Sequence, residues 1–165
     1  VRDHLKIQES ISFKNLPKSE KKLNIQGSGE SKKPLQAKNI LGEVLIVDDD
    51  PDTLFTINEI VESCNYKTIL AKNGVECLNK LENKVPDLIL LDIMMPEMDG
   101  FQTLKRIRSN PAWSEITVIA VTAKAMLEDK EIILKHGFDD YIPKPVNPTV
   151  MSFKIKKAFS KQKAI

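Results

Sequence analysis

Leu88-Ile89-Leu90-Leu91 runs straight into Asp92, and Pro96, Asp99 and Gly100 follow within eight positions. An apolar run this short, closed by turn-forming residues, suits a strand buried on both faces rather than a helix. Such a strand cannot stand alone, because each face needs a covering layer. Two further stretches repeat the pattern: Val44-Leu45-Ile46-Val47 ends in Asp48-Asp49-Asp50, and Ile116 to Val121 ends at Thr122. Asp92 then stands at a strand's carboxyl end, where open α/β sheets place their chemistry. One aspartate at such a place more often caps a turn, so the question is what arrives beside it.

The segments between these strands have helical length and helical signals. Pro51 follows Asp50 at a favoured first helical position, with Asp50 as N-cap and Asp52 in the first turn, and Leu54, Ile57 and Val61 carry a helix to about Cys64. Residues 66–71 mix apolar side chains with Lys67 and Thr68, as an edge strand does. Asn73-Gly74 turns into a helix carrying Val75, Leu78 and Leu81, which ends near Pro86. A helix from about Gly100 carries Phe101, Leu104 and Ile107 and stops before Pro111. The helix at 125–135 closes at His136-Gly137. Asp140-Tyr141-Ile142 is a short last strand, and Asn147 as N-cap with Pro148 opens a final helix to about Ser160. Five strands alternating with five helices require a parallel sheet covered on both faces, with strands 44–47, 88–91 and 116–121 in its middle.

Residues 1–40 differ. They hold nine Lys/Arg against four acids, and Pro17, Pro34 and Gly27-Ser28-Gly29 interrupt any apolar period. This stretch reads as a linker or loosely ordered tail, with a short helix expected around residues 2–9. The remaining 41–165 carries 16 basic and 19 acidic residues, so the small net charge of +2 gives no reason to expect nucleic-acid binding. No stretch approaches the roughly 18 to 20 apolar residues of a membrane span, and the N-terminus has no apolar segment of signal-peptide type. Cys64 and Cys77 lie at helix positions with no CxxC or histidine partner. They read as reduced, buried thiols of a cytoplasmic protein.

All strands of a parallel sheet open their carboxyl ends on one rim. Reading those ends collects Asp48, Asp49, Asp92, Thr122 and Lys144: three carboxylates, a hydroxyl and an ammonium. Carboxylates gathered this way raise one another's pKa unless a cation joins them. An oxygen-rich acidic pocket suits a hard divalent ion, Mg²⁺ or Mn²⁺. Such a pocket can hold a phosphoryl group between metal and ammonium while an aspartate oxygen attacks phosphorus. Taken singly, Asp48 and Asp49 are solvated turn acids, Thr122 a helix cap and Lys144 a surface lysine. Their arrival at successive strand ends favours the joint reading. Asp50 is read first as a cap and only second as a ligand.

Four motifs in order, Val44 to Asp49, Leu90 to Pro96 with Met98-Asp99-Gly100, Val121-Thr122-Ala123, and Asp140-Tyr141-Ile142-Pro143-Lys144-Pro145, resemble the receiver domain of two-component signalling over residues 43–160. The resemblance implies a flavodoxin-like (βα)5 three-layer sandwich with a five-stranded parallel sheet in the order 2-1-3-4-5, and a receiver (response regulatory) domain at 41–165. It implies that Asp92 is the phosphoacceptor, and that Asp49 and Asp92 ligate the metal with the Met94 backbone carbonyl while Asp48 helps organise it. Thr122 and Lys144 then contact the phosphoryl oxygens, and Tyr141 is the switch aromatic that turns inward as Thr122 moves. Lys144-Pro145 is expected to be a cis peptide. Ala123, small beside Thr122, leaves the phosphorus open to a donor. The expected partner is a histidine kinase or histidine phosphotransfer protein, with a second receiver as a candidate homodimer partner. The implied activity is a phosphorylation-dependent switch that assists its own phosphotransfer and dephosphorylation, not an enzyme on an external substrate.

Two other families share part of this pattern. A haloacid-dehalogenase-type phosphohydrolase also places an aspartate after its first strand and another two residues on, as Asp48 and Asp50 stand, and Asp139-Asp140 could serve as its acidic pair. Asp52, however, stands where its threonine belongs. A dinucleotide-binding module fails because Asp48-Asp49-Asp50 fills the first strand–helix turn where a glycine-rich phosphate loop belongs. Few residues follow the last helix, so no DNA-binding domain is expected there. Ser12-Phe13 to Leu16-Pro17 loosely resembles the strand that closes a histidine-kinase ATP-binding domain, which favours the C-terminal receiver of a hybrid histidine kinase over a single-domain regulator. Neither His4 nor His136 lies in a phosphodonor motif. The last helix carries Lys154, Lys156, Lys157, Lys161 and Lys163, read as a solvated face.

Overall fold

A computed structural model of the chain describes residues 39–123 and 127–162. The expected tail up to residue 38 lies outside them, as do the helix at 2–9, the strand-like stretch at 12–17 and His4. The described elements alternate throughout: β1 (Glu43–Val47), α1 (Pro51–Ser63), β2 (Lys67–Ala71), α2 (Gly74–Asn83), β3 (Leu88–Asp92), α3 (Gly100–Ser109), β4 (Thr117–Thr122), α4 (Leu127–Lys135), β5 (Asp140–Pro143) and α5 (Pro148–Gln162). The five strands form one parallel sheet in the order β2-β1-β3-β4-β5.

The alternation of side chains along the central strands builds two cores. Val44 and Ile46 of β1, Leu88 and Leu90 of β3, and Ile119 and Val121 of β4 point to one face, where α1 and α5 cover them. Leu45, Val47, Ile89, Leu91, Val118 and Ala120 point to the other, against α2, α3 and α4. All five positions of β1 and of β3 are buried, whereas β2 buries only Ala71, as an edge strand with one neighbour would. This distribution of helices follows from right-handed crossovers when the chain starts mid-sheet and reverses direction once.

Helix starts obey the local signals. Asp50, Asn73 and Asp99 each accept a hydrogen bond from the backbone N–H three residues on, and Asn147 accepts from Thr149 and Val150. Asn73 is therefore a cap and not only part of a turn. At the end of α4, Gly137 takes φ of 101°, the left-handed conformation glycine adopts most easily. Two expectations fail. Val75 is exposed, and the buried stripe of α2 is Gly74, Cys77 and Leu81, because the helix packs closely through Gly74 beside Thr103 and Met98. Cys64 is only partly buried, since α1 ends there and its thiol donates to Ser152 Oγ at 3.2 Å.

The amino-terminal edge of the sheet hides a charge that looks like a polar flank in the sequence. Glu43 is buried and forms ion pairs with Lys84 at 2.7 Å and Lys67 at 3.4 Å. Burial opposes its ionised form, but the two lysines outweigh that and hold its pKa below the ordinary carboxylate value. Arg108 ties the same edge further along, donating to the carbonyls of Ser114, Ile116 and Gly137 and to Asp139.

Gly100 begins α3 directly against the end of β3: a Cβ there would stand 2.4 Å from the Asp92 carbonyl oxygen and 2.7 Å from Ile93 Cα. Both are backbone atoms and cannot rotate away. Gly100→Ala is expected to destabilise the domain by about 1–3 kcal/mol, the usual cost of overpacking. Urea denaturation at constant m-value measures this, and a loss below a few tenths would show that the loop yields freely.

Candidate functional site

The register of the sheet assembles the site. Val47 pairs with Leu91, so Asp48 and Asp92 come side by side one residue later. Asp92 pairs with Val121, and Thr122 with Pro143, so Thr122 and Lys144 stand at the next two strand ends. Asp48, Asp92 and Thr122 are each at most 3% exposed, while Asp49 is exposed at the mouth. Ala123 is exposed beside it.

The Lys144 ammonium holds the two buried acids together, 2.7 Å from Asp48 Oδ2 and 2.8 Å from Asp92 Oδ2. The other oxygen of each acid accepts a backbone N–H two residues on, from Asp50 at 3.0 Å and Met94 at 3.1 Å. Burial pushes the Asp48 pKa up and the charge of Asp92 adds to it; Lys144 and the Asp50 amide oppose this without cancelling it. Burial alone would depress the Lys144 pKa, but its contacts with the two carboxylates leave it above the ordinary lysine value. Both groups thus bind protons more tightly than in water, Asp48 because it is buried and Lys144 because two carboxylates contact it.

Carboxylate oxygens of Asp48, Asp49 and Asp92 lie within 4.8 Å of one another. Asp48 Oδ2 makes no directed hydrogen bond, and its close contact is the charge contact with Lys144. An all-oxygen set that is buried on one side, open on the other and short of positive charge fits a hard divalent cation. Asp50 stands apart from this set. Its carboxylate accepts from the Thr53 hydroxyl at 2.5 Å and the Thr53 amide at 2.9 Å, which lowers its pKa and commits it to capping α1.

Other expected residues sit around the cluster. Met94 is half exposed two residues past Asp92, with its amide on that carboxylate. Lys144-Pro145 is a cis peptide. The Tyr141 ring is partly buried against the second core, with the ammonium of Lys154 5.2 Å and that of Lys130 5.9 Å from its centroid. Lys154 also pairs with Asp140 at 2.5 Å, so it is no member of a purely solvated face. The sequence carries no local signal for this, since Lys154 lies 13 positions beyond the tyrosine and reaches back from another element.

A family model described as the response regulator receiver domain matches residues 44–156. The chain belongs to this receiver family. The polar-differentiation response regulator DivK of Brucella anthropi is 38% identical over 104 residues, 63% of this chain and 85% of that one. The sensor histidine kinase GacS of Pseudomonas protegens is 36% identical over 107 residues, 63% of this chain but 12% of that longer protein. Among solved structures, the receiver domain of a Pseudomonas aeruginosa sensor histidine kinase, described with a magnesium ion coordinated in its active-site cleft, superposes with a TM-score of 0.67 at 28% identity, covering 72% of this chain and 98% of that one. The phosphohydrolase alternative finds no support: the family is another one, and Asp50, its required second acid, is spent on a helix cap. Among the described residues, no helix is long and apolar enough to cross a membrane.

The raised pKa of Asp48 makes its charge a burden on the metal-free receiver. Folded Asp48 keeps its proton above the pH at which unfolded Asp48 loses it, so stability falls as pH rises through that window and then levels off. In chelator, Asp48→Asn is expected to be more stable than the parent near neutral pH. The gain should vanish below the ordinary carboxylate range. Urea midpoints of both proteins from acid to neutral pH decide it, and a gain that persisted unchanged in acid would contradict this origin.

Proposed function

We propose that this receiver accepts a phosphoryl group on Asp92 from a phosphohistidine of a histidine kinase or histidine phosphotransfer protein, and relays it as a change of surface. What carries the reading is the Lys144 ammonium shared between the buried carboxylates of Asp48 and Asp92, with Asp49 at the open side. A carboxylate in that setting is nucleophilic, anchored on two sides and reachable from solvent past Asp49 and Ala123.

An oxygen of Asp92 attacks phosphorus and the P–N bond breaks. Its electron pair returns to the imidazole, whose other ring nitrogen carries the proton, so neutral histidine leaves and an acyl phosphate forms. Asp48, Asp49 and Asp92, with the Met94 backbone carbonyl, would hold Mg²⁺ or Mn²⁺, whose charge offsets repulsion between the acids and the incoming phosphoryl group. Lys144 neutralises a phosphoryl oxygen once Asp92 is esterified, and the Thr122 hydroxyl donates to another. As Thr122 moves, Tyr141 turns inward, and the pre-existing balance between two arrangements of α4, β5 and α5 shifts. In this reading the domain catalyses only its own phosphorylation and dephosphorylation. Such a donor makes it a cytoplasmic module, with neither nucleic acid nor membrane as a direct partner of this segment. The likeness to part of a sensor histidine kinase supports a hybrid kinase as the parent chain.

Intact mass after incubation with Mg²⁺ and a small-molecule phosphodonor tests the reading. One phosphoryl group should be added, none in Asp92→Asn, and none when a chelator removes the metal. Modification that persisted in Asp92→Asn, or that mapped to Asp48, would refute the assignment.

A further inference from the structure

The face of α3 turned away from the core carries Gln102, Lys105, Arg106 and Ser109, all exposed and spaced along one helical stripe. An open cavity of about 830 Å³ lies on one flank of this stripe, bounded by Trp113 of the α3–β4 connection. A second, of about 410 Å³, lies on the other flank against Phe101 and His136. Gln102, Lys105 and Ser109 line both, so the two form one continuous surface. No carboxylate lines either cavity, although residues 41–165 hold more acids than bases. Arg108 is committed to its carbonyls and to Asp139, whereas Lys105 and Arg106 are in no ion pair among the described residues. Trp113, the chain's only tryptophan, is half-buried against the second core. Its turn is fixed: the Trp113 and Ser114 amides donate to the Asn110 carbonyl at 3.0 and 2.9 Å, and Arg108 donates to the Ser114 carbonyl at 2.8 Å. A large ring held still beside two available cations has the composition of an interface hot spot.

We infer that this face of α3 docks an acidic segment of another protein, with carboxylates on Lys105 and Arg106 and a large apolar side chain against Trp113. Charge complementarity selects the occupant. The chain's own residues 1–40 hold nine Lys/Arg against four acids and would be repelled. A nucleic-acid backbone draws its affinity from many phosphate contacts, more than two cations supply. A small anion would lack the enclosing walls of a ligand pocket, because both cavities open to solvent. A chain segment needs no enclosure, since it gains contacts along the whole stripe. The inference goes beyond the phosphoacceptor reading and does not depend on it, since none of these residues belongs to the cluster around Asp92.

An array of short peptides, each with one varied residue between acidic, basic or neutral flanks, tests it when probed with the labelled full chain. Binding is expected where acidic flanks surround an aromatic or large aliphatic residue. Titrating the strongest such peptide should change Trp113 emission saturably, with an affinity that falls as ionic strength rises from about 0.05 to about 0.5 M. Lys105→Glu with Arg106→Glu should weaken binding at least about tenfold, because both carboxylate contacts become repulsive. Both side chains are exposed, so the fold is not at stake, and an unchanged thermal midpoint checks that. Lys156→Glu with Lys157→Glu should bind like the parent, and so should Asp92→Asn, which separates this face from α5 and from the phosphoacceptor. An array with no bound peptide, binding indifferent to the charge of the flanks, or binding undiminished by the Lys105 and Arg106 reversal would each overturn the inference. Trp113 emission that answered to ATP but to no acidic peptide would also overturn it, and would assign the face to a nucleotide.

Discussion

Two carboxylates at most 3% exposed and a single ammonium share the carboxyl-end rim of the sheet, and the surrounding structure exists to keep them there. Removing such charges from water costs several kcal/mol per ion, which one lysine shared between two acids only partly offsets. Burial raises the proton affinity of Asp48, and the two carboxylates raise that of Lys144. A fold that merely needed stability would replace this cluster with apolar side chains of similar volume. Retaining it at the open end of three strands fits a site that further positive charge completes.

The loop after Asp92 shows how closely the backbone is drawn to this purpose. Met94 returns its amide to the Asp92 carboxylate, Met98 N–H donates to the Pro96 carbonyl, and Gly100 N–H donates to the Ile93 carbonyl at 2.9 Å. The chain therefore doubles back on the end of β3 within eight residues, and Asp99 caps α3 as it does so. Gly100 is the residue without which this return would collide with the Asp92 carbonyl. The run from Asp92 to Gly100 is thus one geometric object: a buried carboxylate, a turn that fixes its orientation, and a glycine that lets helix and strand touch.

What could be read from the sequence divides along a physical line. Strand identities, the edge position of β2, the caps Asp50 and Asn147 and the gathering of Asp48, Asp49, Asp92, Thr122 and Lys144 were legible because each depends on local pattern plus one rule, that parallel strands end on the same rim. Glu43 was not legible. Its burial depends on Lys67 and Lys84, which reach it from the start of β2 and the end of α2, and a glutamate before an apolar run otherwise reads as exposed. Arg108 was equally silent, since its partners lie in the α3–β4 and α4–β5 connections. The face of α2 was misjudged because Gly74, with no side chain, adds nothing to an apolar count and yet sets the closest packing of that helix.

Tyr141 brings these threads together, because its position depends on both kinds of information. The proposed switch requires the ring to leave a place flanked by Lys154 and Lys130, where each cation–ring contact is worth about 0.5–1 kcal/mol at an exposed site. Lys154 is itself held by Asp140, the residue immediately before the tyrosine, so the ring and its nearest cation are tied to the same short strand. Inward rotation would therefore separate Tyr141 from Lys154 without releasing Lys154 from Asp140. In its present place the ring gains on the order of 1–2 kcal/mol from such contacts, comparable to one tenfold step in a two-state equilibrium. In the proposed switch, a bias of that size is small enough for rearranged hydrogen bonds at Thr122 and Lys144 to overcome.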